Sequence, residues 1–204
     1  EGLVSAGLGL RGIPAASEAV IVARDLLLAE LTGGRYHVAH VSTAEALQLI
    51  REAKARGVRV TCEAAPHHFA LTDQAVQSFD PNLKMSPPLR SERHVAALRE
   101  ALADGTADAI ATDHAPHTLQ DKEQEFDYAA NGIIGLETAF ALAQTVLVEG
   151  GTLSLPQAIA KLSRDPARIF GLPKGTLSVG ADADVTIVDP TREWVVDVKR
   201  FASK

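Results

Sequence analysis

Apolar positions in this chain recur at two alternating spacings, helical and β-like. Val20, Ala23, Leu27 and Leu31 keep helical spacing between Ala16 and Leu31, and Gly33-Gly34 supplies the stop. YHVAHVS (36–42) is short and β-rich. Ser42 and Glu45 then form a capping-box pattern that opens TAEALQLIREAKARG, which closes on Gly57. VRVTCEAA (58–65) predicts a second strand and LKMSPP (83–88) a third, ended by two prolines, with a weak helical turn near 74–79 between them. Ser91 caps a helix that stops at Gly105, and ADAIATD (107–113) predicts a fourth strand. Beyond it, 135–149 is helical, Ser154 with Gln157 caps another helix, and RDPARIFGL is a last short one.

Strand and helix alternating without hairpin signals predict an α/β fold with a parallel sheet covered by helices. Two architectures fit: a doubly wound sheet, or part of a (β/α)₈ barrel. A whole barrel uses about 250 residues, so four units would be half of one. The tail differs, since GTLSVGADADVTIVDPTREWVVD (175–197) has glycine turns and two β-rich runs, which predict a small β appendage.

Composition narrows the functional classes. The 204 residues are 46% hydrophobic and 23% charged, which suits a globular protein with a sizeable core. A net charge of -6, with no lysine and arginine stripe, gives nucleic-acid binding no electrostatic support. No apolar stretch is long enough to span a membrane and no signal-peptide pattern opens the chain. The single cysteine, Cys62, allows no internal disulfide, fits a reducing compartment and reads as buried filler. The chain starts at Glu1 and its one methionine is Met85, so it is expected to be processed, truncated or partial.

In parallel β/α folds functional groups gather at the carboxyl ends of the strands. Those ends carry His40, then Glu63 or His67, then Ser86, then Asp113. A histidine and an aspartate converging there suit a divalent cation such as Zn²⁺. Each also has a plain structural reading. His40 could satisfy a buried carbonyl, and Asp113 could cap the turn that follows it. His114 is expected to be supporting or structural, His94 solvated on a surface helix, and His67 and His68 ambiguous. His37 is expected to face the helix layer, because it differs from His40 by an odd number of residues.

YHVAHVST, VTCEAAPHHFALTD, LKMSPPLRS, DAIATDHAPHT and GIIGLETAF occur in the order and spacing of class I dihydroorotases, within the amidohydrolase superfamily. GADADVTIVDP resembles the strand by which those enzymes return to a small β-sandwich domain. The resemblance covers nearly the whole chain. It implies strands five to eight of a distorted (β/α)₈ barrel over 1–172, and a β segment of the composite sandwich over 173–204. It also implies one or two zinc ions, the interconversion of N-carbamoyl-L-aspartate and L-dihydroorotate, and a cytoplasmic enzyme of pyrimidine synthesis. By the same resemblance His40 closes strand five and binds a metal. Asp113 closes strand eight, binds a metal and acts as general base and acid. Ser86, His117, Asn131 and Gly132 contact the substrate. Homo-oligomers or aspartate transcarbamoylase are the partners implied, with no nucleic acid and no membrane.

Two positions depart from the family pattern. Ser86 stands where many members have asparagine, and Asn131 where phenylalanine is commoner. Both leave room for another cyclic-amide hydrolase, of the dihydropyrimidinase or allantoinase type. A non-catalytic scaffold for aspartate transcarbamoylase is the reading from another class. The remaining metal ligands of the family are expected upstream of Glu1, so the chain alone is expected to be inactive.

Overall fold

The computed structural model describes residues 2–203. Its framework is a three-stranded parallel sheet in the order β1 (Tyr36–Val38), β2 (Val60–Ala64), β3 (Ala109–Ile110). Tyr36 pairs with Val60 and Val38 with Cys62, while Glu63 pairs with Ala109 and Ala64 with Ile110. α1 (Leu3–Leu8) and α2 (Ala15–Thr32) precede the sheet. α3 (Ala44–Ala55) joins β1 to β2. α4 (Pro66–Ala70) and α5 (Glu92–Asp104) lie between β2 and β3. After β3 come α6 (Leu119–Lys122), α7 (Ala139–Leu142) running into a π-helical turn over Ala143–Val148, α8 (Leu155–Leu162) and α9 (Arg164–Phe170).

Alternation along β2 decides which face is covered. Val60, Cys62 and Ala64 are buried, and they join Val38 and Ile110 in a core with Val22 and Leu26 of α2, Leu47 and Ile50 of α3, and Leu98 and Leu102 of α5. Thr61 and Glu63 point to the other face. Cys62 is buried, as its position predicts. α2 covers the core on one side only: Val20, Leu27 and Leu31 share a stripe that is 65%, 64% and 82% exposed.

Glycine in the left-handed region ends α2 at Gly33 and α5 at Gly105, as expected from their stop signals. The α3 cap is one residue later than the pattern predicts. Thr43, not Ser42, is the N-cap, and its hydroxyl accepts from the Ala46 N–H at 3.3 Å. Ser42 and Thr43 donate their own N–H groups to the Glu18 carboxylate, and the Ala44 N–H donates to Nδ1 of His94 at 3.0 Å. Helix starts leave such donors without partners, and here two side chains from elsewhere in the fold supply them. His94 is therefore buried, correcting the expectation of a solvated ring.

Four strands are expected and three form among the described residues. LKMSPP is not a strand: 81–83 is a 3₁₀ turn, and β2 bonds β3 directly, which leaves no place between them. Pro87 and Pro88 have no N–H to offer a ladder, and the Lys84 carbonyl accepts from the Gly132 N–H instead. Counted back from the strand that leads to Asp113 as the eighth, His40 follows the sixth rather than the fifth. The two β-rich runs of 175–197 form no strand among the described residues. Val179, Ile187 and Val195 are left exposed there, and a β-rich run without a partner strand forms no ladder.

Candidate active site

His40 and Asp113 follow β1 and β3, on either side of β2 and at the same end of the sheet. Strand spacing puts their backbones about 10 Å apart in the sheet direction. Both residues have positive φ, 37° at His40 and 47° at Asp113. A residue with a side chain enters that region at a cost of about 1–3 kcal/mol and stays there only where its surroundings hold it. The turn at His40 also ends the strand alternation, so parity no longer relates it to His37. His37 is in register with Thr61 on the face away from the core, which corrects its expected place to the side opposite α2, α3 and α5. There its Nε2 lies 3.0 Å from Glu63 Oε2, its Nδ1 2.8 Å from Thr61 Oγ1, and its ring 5.9 Å from that of Phe170.

Behind His40, at the start of α4, stand His67 and His68, their ring centroids 4.3 Å apart. Burial pushes the His67 imidazole down to about 3, with the charges of His68 and His40 adding to it. Burial likewise pushes His68 down to about 4, opposed by its hydrogen bond to the Pro87 carbonyl. Both rings are neutral near pH 7. His40 Nδ1, His67 Nε2 and His68 Nδ1 are buried and have no hydrogen-bond partner. His40 Nε2 is not among the shut-away atoms, so it is the nitrogen that can face a ligand.

His117, Asn131 and Gly132 come together after β3. His117 Nε2 donates to the Asn131 carbonyl at 2.8 Å. A Cβ on Gly132 would meet that ring at 2.7 Å and the Ala115 carbonyl at 2.5 Å, so only glycine fits here. Lys84 and Lys122 tie the same loop down through the carbonyls of Ala129, Ala130 and Gly132. Ser86 lies exposed two residues beyond Lys84. His114 is hydrogen-bonded on both ring nitrogens, as a supporting residue should be. Ser203, which meets it, and Glu137, which holds Ser203, carry no local sequence signal: they are 66 residues apart, and only the polar Glu137 within an apolar stretch could have drawn notice.

Among the described residues no three His, Cys, Asp or Glu side chains are grouped to hold a metal ion. At the two strand ends His40 Nε2 and the Asp113 carboxylate stand against the four donors of a tetrahedral zinc site, so the described residues fit part of such a site. Cavities of ≈ 110 and ≈ 580 Å³ exist near α1, but neither is lined by His40, His67 or Asp113. The smaller of the two is lined in part by Asn131. Among the described residues no helix is long and apolar enough to cross a membrane.

Residues 18–202 match the Amidohydrolase family. The chain is 62% identical over its full length to a dihydroorotase of Pelotomaculum thermopropionicum, covering 48% of that protein. It is 58% identical to a dihydroorotase of Syntrophus aciditrophicus, again covering all of this chain and 48% of that one. The chain thus spans about half the length of the curated relatives it matches. Among solved structures it is similar to an L-hydantoinase (dihydropyrimidinase) from Arthrobacter aurescens, with TM-score 0.79 and 36% identity over 83% of this chain and 39% of that one. A D-hydantoinase (dihydropyrimidinase) from Thermus sp. gives TM-score 0.78 and 35% identity over the same shares of both chains.

Proposed function

We propose that this chain, which belongs to the amidohydrolase family, supplies the last three strands and closing helices of a dihydroorotase barrel. The activity is the reversible, metal-dependent cyclisation of N-carbamoyl-L-aspartate to L-dihydroorotate. One observation carries it: two strand ends hold a histidine and an aspartate at positive φ, and among the described residues His40 Nδ1 is buried without a hydrogen-bond partner. Strain of that kind is kept where function uses it.

His40, through Nε2, and Asp113 would hold a divalent metal, for which this donor set favours zinc, with further ligands from outside the chain. The bound metal supplies Lewis-acid polarisation of the ring carbonyl. The Asp113 carboxylate takes the proton of the attacking water and passes it to the leaving ring nitrogen; in cyclisation the transfers reverse. His117 and the Asn131–Gly132 backbone would face the substrate. Because His117 Nε2 already donates to a carbonyl, a substrate carboxylate meets Nδ1, and that contact is favourable only when the ring carries both protons. Ser86, exposed near this loop, would contact the substrate as well.

Residues 173–204 would complete a small β-sandwich, a reading supported by the apolar side chains that its β-rich runs leave uncovered. Cytoplasmic location, and association with itself or with aspartate transcarbamoylase, rest on the sequence resemblance.

A dihydropyrimidinase activity is the second reading, favoured by Ser86 and by the hydantoinase structures. The full-length protein, assayed on dihydroorotate and dihydrouracil side by side, separates the two. Hydrolysis of dihydroorotate is expected, and hydrolysis of dihydrouracil alone rejects the proposal. Full-length protein that binds no metal and turns over neither compound would favour the scaffold.

A further inference from the structure

We propose that the C-terminal segment is a latch on the loop that carries Asp113, with Glu137 and Ser203 as positioning residues that act through His114. Glu137 precedes α7. Its Oε1 accepts the N–H groups of Ala202 and Ser203, both at 3.1 Å, and its Oε2 accepts the Ser203 hydroxyl at 3.2 Å. Two consecutive backbone donors and a hydroxyl on one carboxylate fix the register of the tail, because no neighbouring residue offers the same three groups in the same places.

Ser203 then reaches the ring beside the candidate base, with its Oγ 3.1 Å from His114 Nε2. The other ring nitrogen, Nδ1, accepts the N–H of Gly135 at 3.0 Å and of Leu136 at 3.3 Å. An acceptor at Nδ1 leaves the proton of the neutral ring on Nε2. The direction of the chain follows: Nε2–H donates to Ser203 Oγ, and Oγ–H donates to Glu137 Oε2. Each donor has one acceptor. His114 is thereby gripped by the loop at 135–136 on one side and by the tail on the other. The Ala115 N–H, bonded to the Ile133 carbonyl at 3.1 Å, pins the next residue. Asp113 is the residue immediately before His114 in the backbone, so releasing the tail would let the strained peptide at φ 47° relax and turn the carboxylate away.

The effect on catalysis rests on the function proposed above, whereas the docking of the tail does not. The test uses the full-length protein, with Glu137→Ala, Ser203→Ala and Ser203→Thr. In the unsubstituted protein the amides of Ala202 and Ser203 should be protected from hydrogen exchange, and the ¹⁵N shifts of His114 should report a proton on Nε2. Glu137→Ala should release the tail amides and lower both kcat and metal affinity roughly 10- to 100-fold, because the carboxylate that turns away is also a ligand, with KM at saturating metal within about twofold of the unsubstituted protein. Ser203→Ala should lower kcat less, and Ser203→Thr, which keeps the hydroxyl, should restore it. An unprotected tail or a proton on Nδ1 in the unsubstituted protein overturns the latch, whatever the enzyme turns over. A tail released by either alanine variant with kcat unchanged overturns its positioning role. Protein that shows the protection and the tautomer but hydrolyses no cyclic amide would refute the proposed function and leave the docking intact.

Discussion

The two ends of the small sheet treat their polar groups in opposite ways. At the amino end, both oxygens of Asp108 meet Lys54 Nζ, at 2.8 and 2.7 Å, and one of them also accepts the Cys62 N–H at 2.8 Å. Lys54 also donates to the carbonyls of Gly105 and Thr106. The buried ammonium of Lys161 donates to the Ala107 carbonyl at 2.6 Å, and burial holds its pKa below the usual lysine range. At the carboxyl end, three buried imidazole nitrogens have no partner and two residues hold positive φ. Buried polar groups are almost always satisfied, so unsatisfied ones gathered at one end need a reason. The amino end holds the chain together and the carboxyl end keeps its donors available.

That contrast can be broken most sharply at Asp113. In the full-length protein, Asp113→Asn should lower turnover by roughly 10³-fold, because a proton acceptor and an anionic ligand go at once. The unfolding midpoint should hardly move. Near-normal turnover would remove the assigned base. Asp108→Ala should do the reverse, lowering stability by about 2–3 kcal/mol because a part-buried cation and a strand N–H lose their partner. Denaturant unfolding measures the loss, and KM and kcat should stay close to their original values.

A smaller effect sharpens the contrast through pH. His67 and His68 take up protons less readily folded than unfolded, so their contribution to stability is complete above pH 6.5 and falls as pH drops toward 4 and 3. Each should remove about 1 kcal/mol per pH unit below pH 6. Denaturation curves that coincide at pH 7 and pH 5 would contradict this. Smallest is Thr43→Ala at the α3 cap, expected to lower stability by about 1 kcal/mol, since Glu18 and His94 still serve the neighbouring N–H groups.

What the sequence discloses follows from how local each cause is. Helix ends at Gly33 and Gly105 are visible because a left-handed stop is a property of one residue. Strand β2 is visible because its alternation is complete. LKMSPP looks like a strand because its residues are β-rich, yet the Lys84 carbonyl is taken by Gly132, 48 positions away by sequence number. His94 misleads in the same way: its helix is on the surface, but its ring caps a helix that starts 50 residues earlier. At the site, His40 and Asp113 are readable as strand-end residues, and His117 with Asn131 and Gly132 by resemblance. The left-handed turns that present the first two are not, because backbone strain is imposed from outside the segment that bears it.

The bare stripe along α2 has a consequence for handling. Val20, Leu27 and Leu31, with Ile21 and Leu28 exposed beside them, form a greasy seam along the helix, and water is best excluded from it by another apolar surface. A preparation of this chain with the seam uncovered should therefore self-associate as concentration rises. Ammonium sulfate, which strengthens apolar burial, should drive it from solution at lower salt than a protein whose helices are all covered.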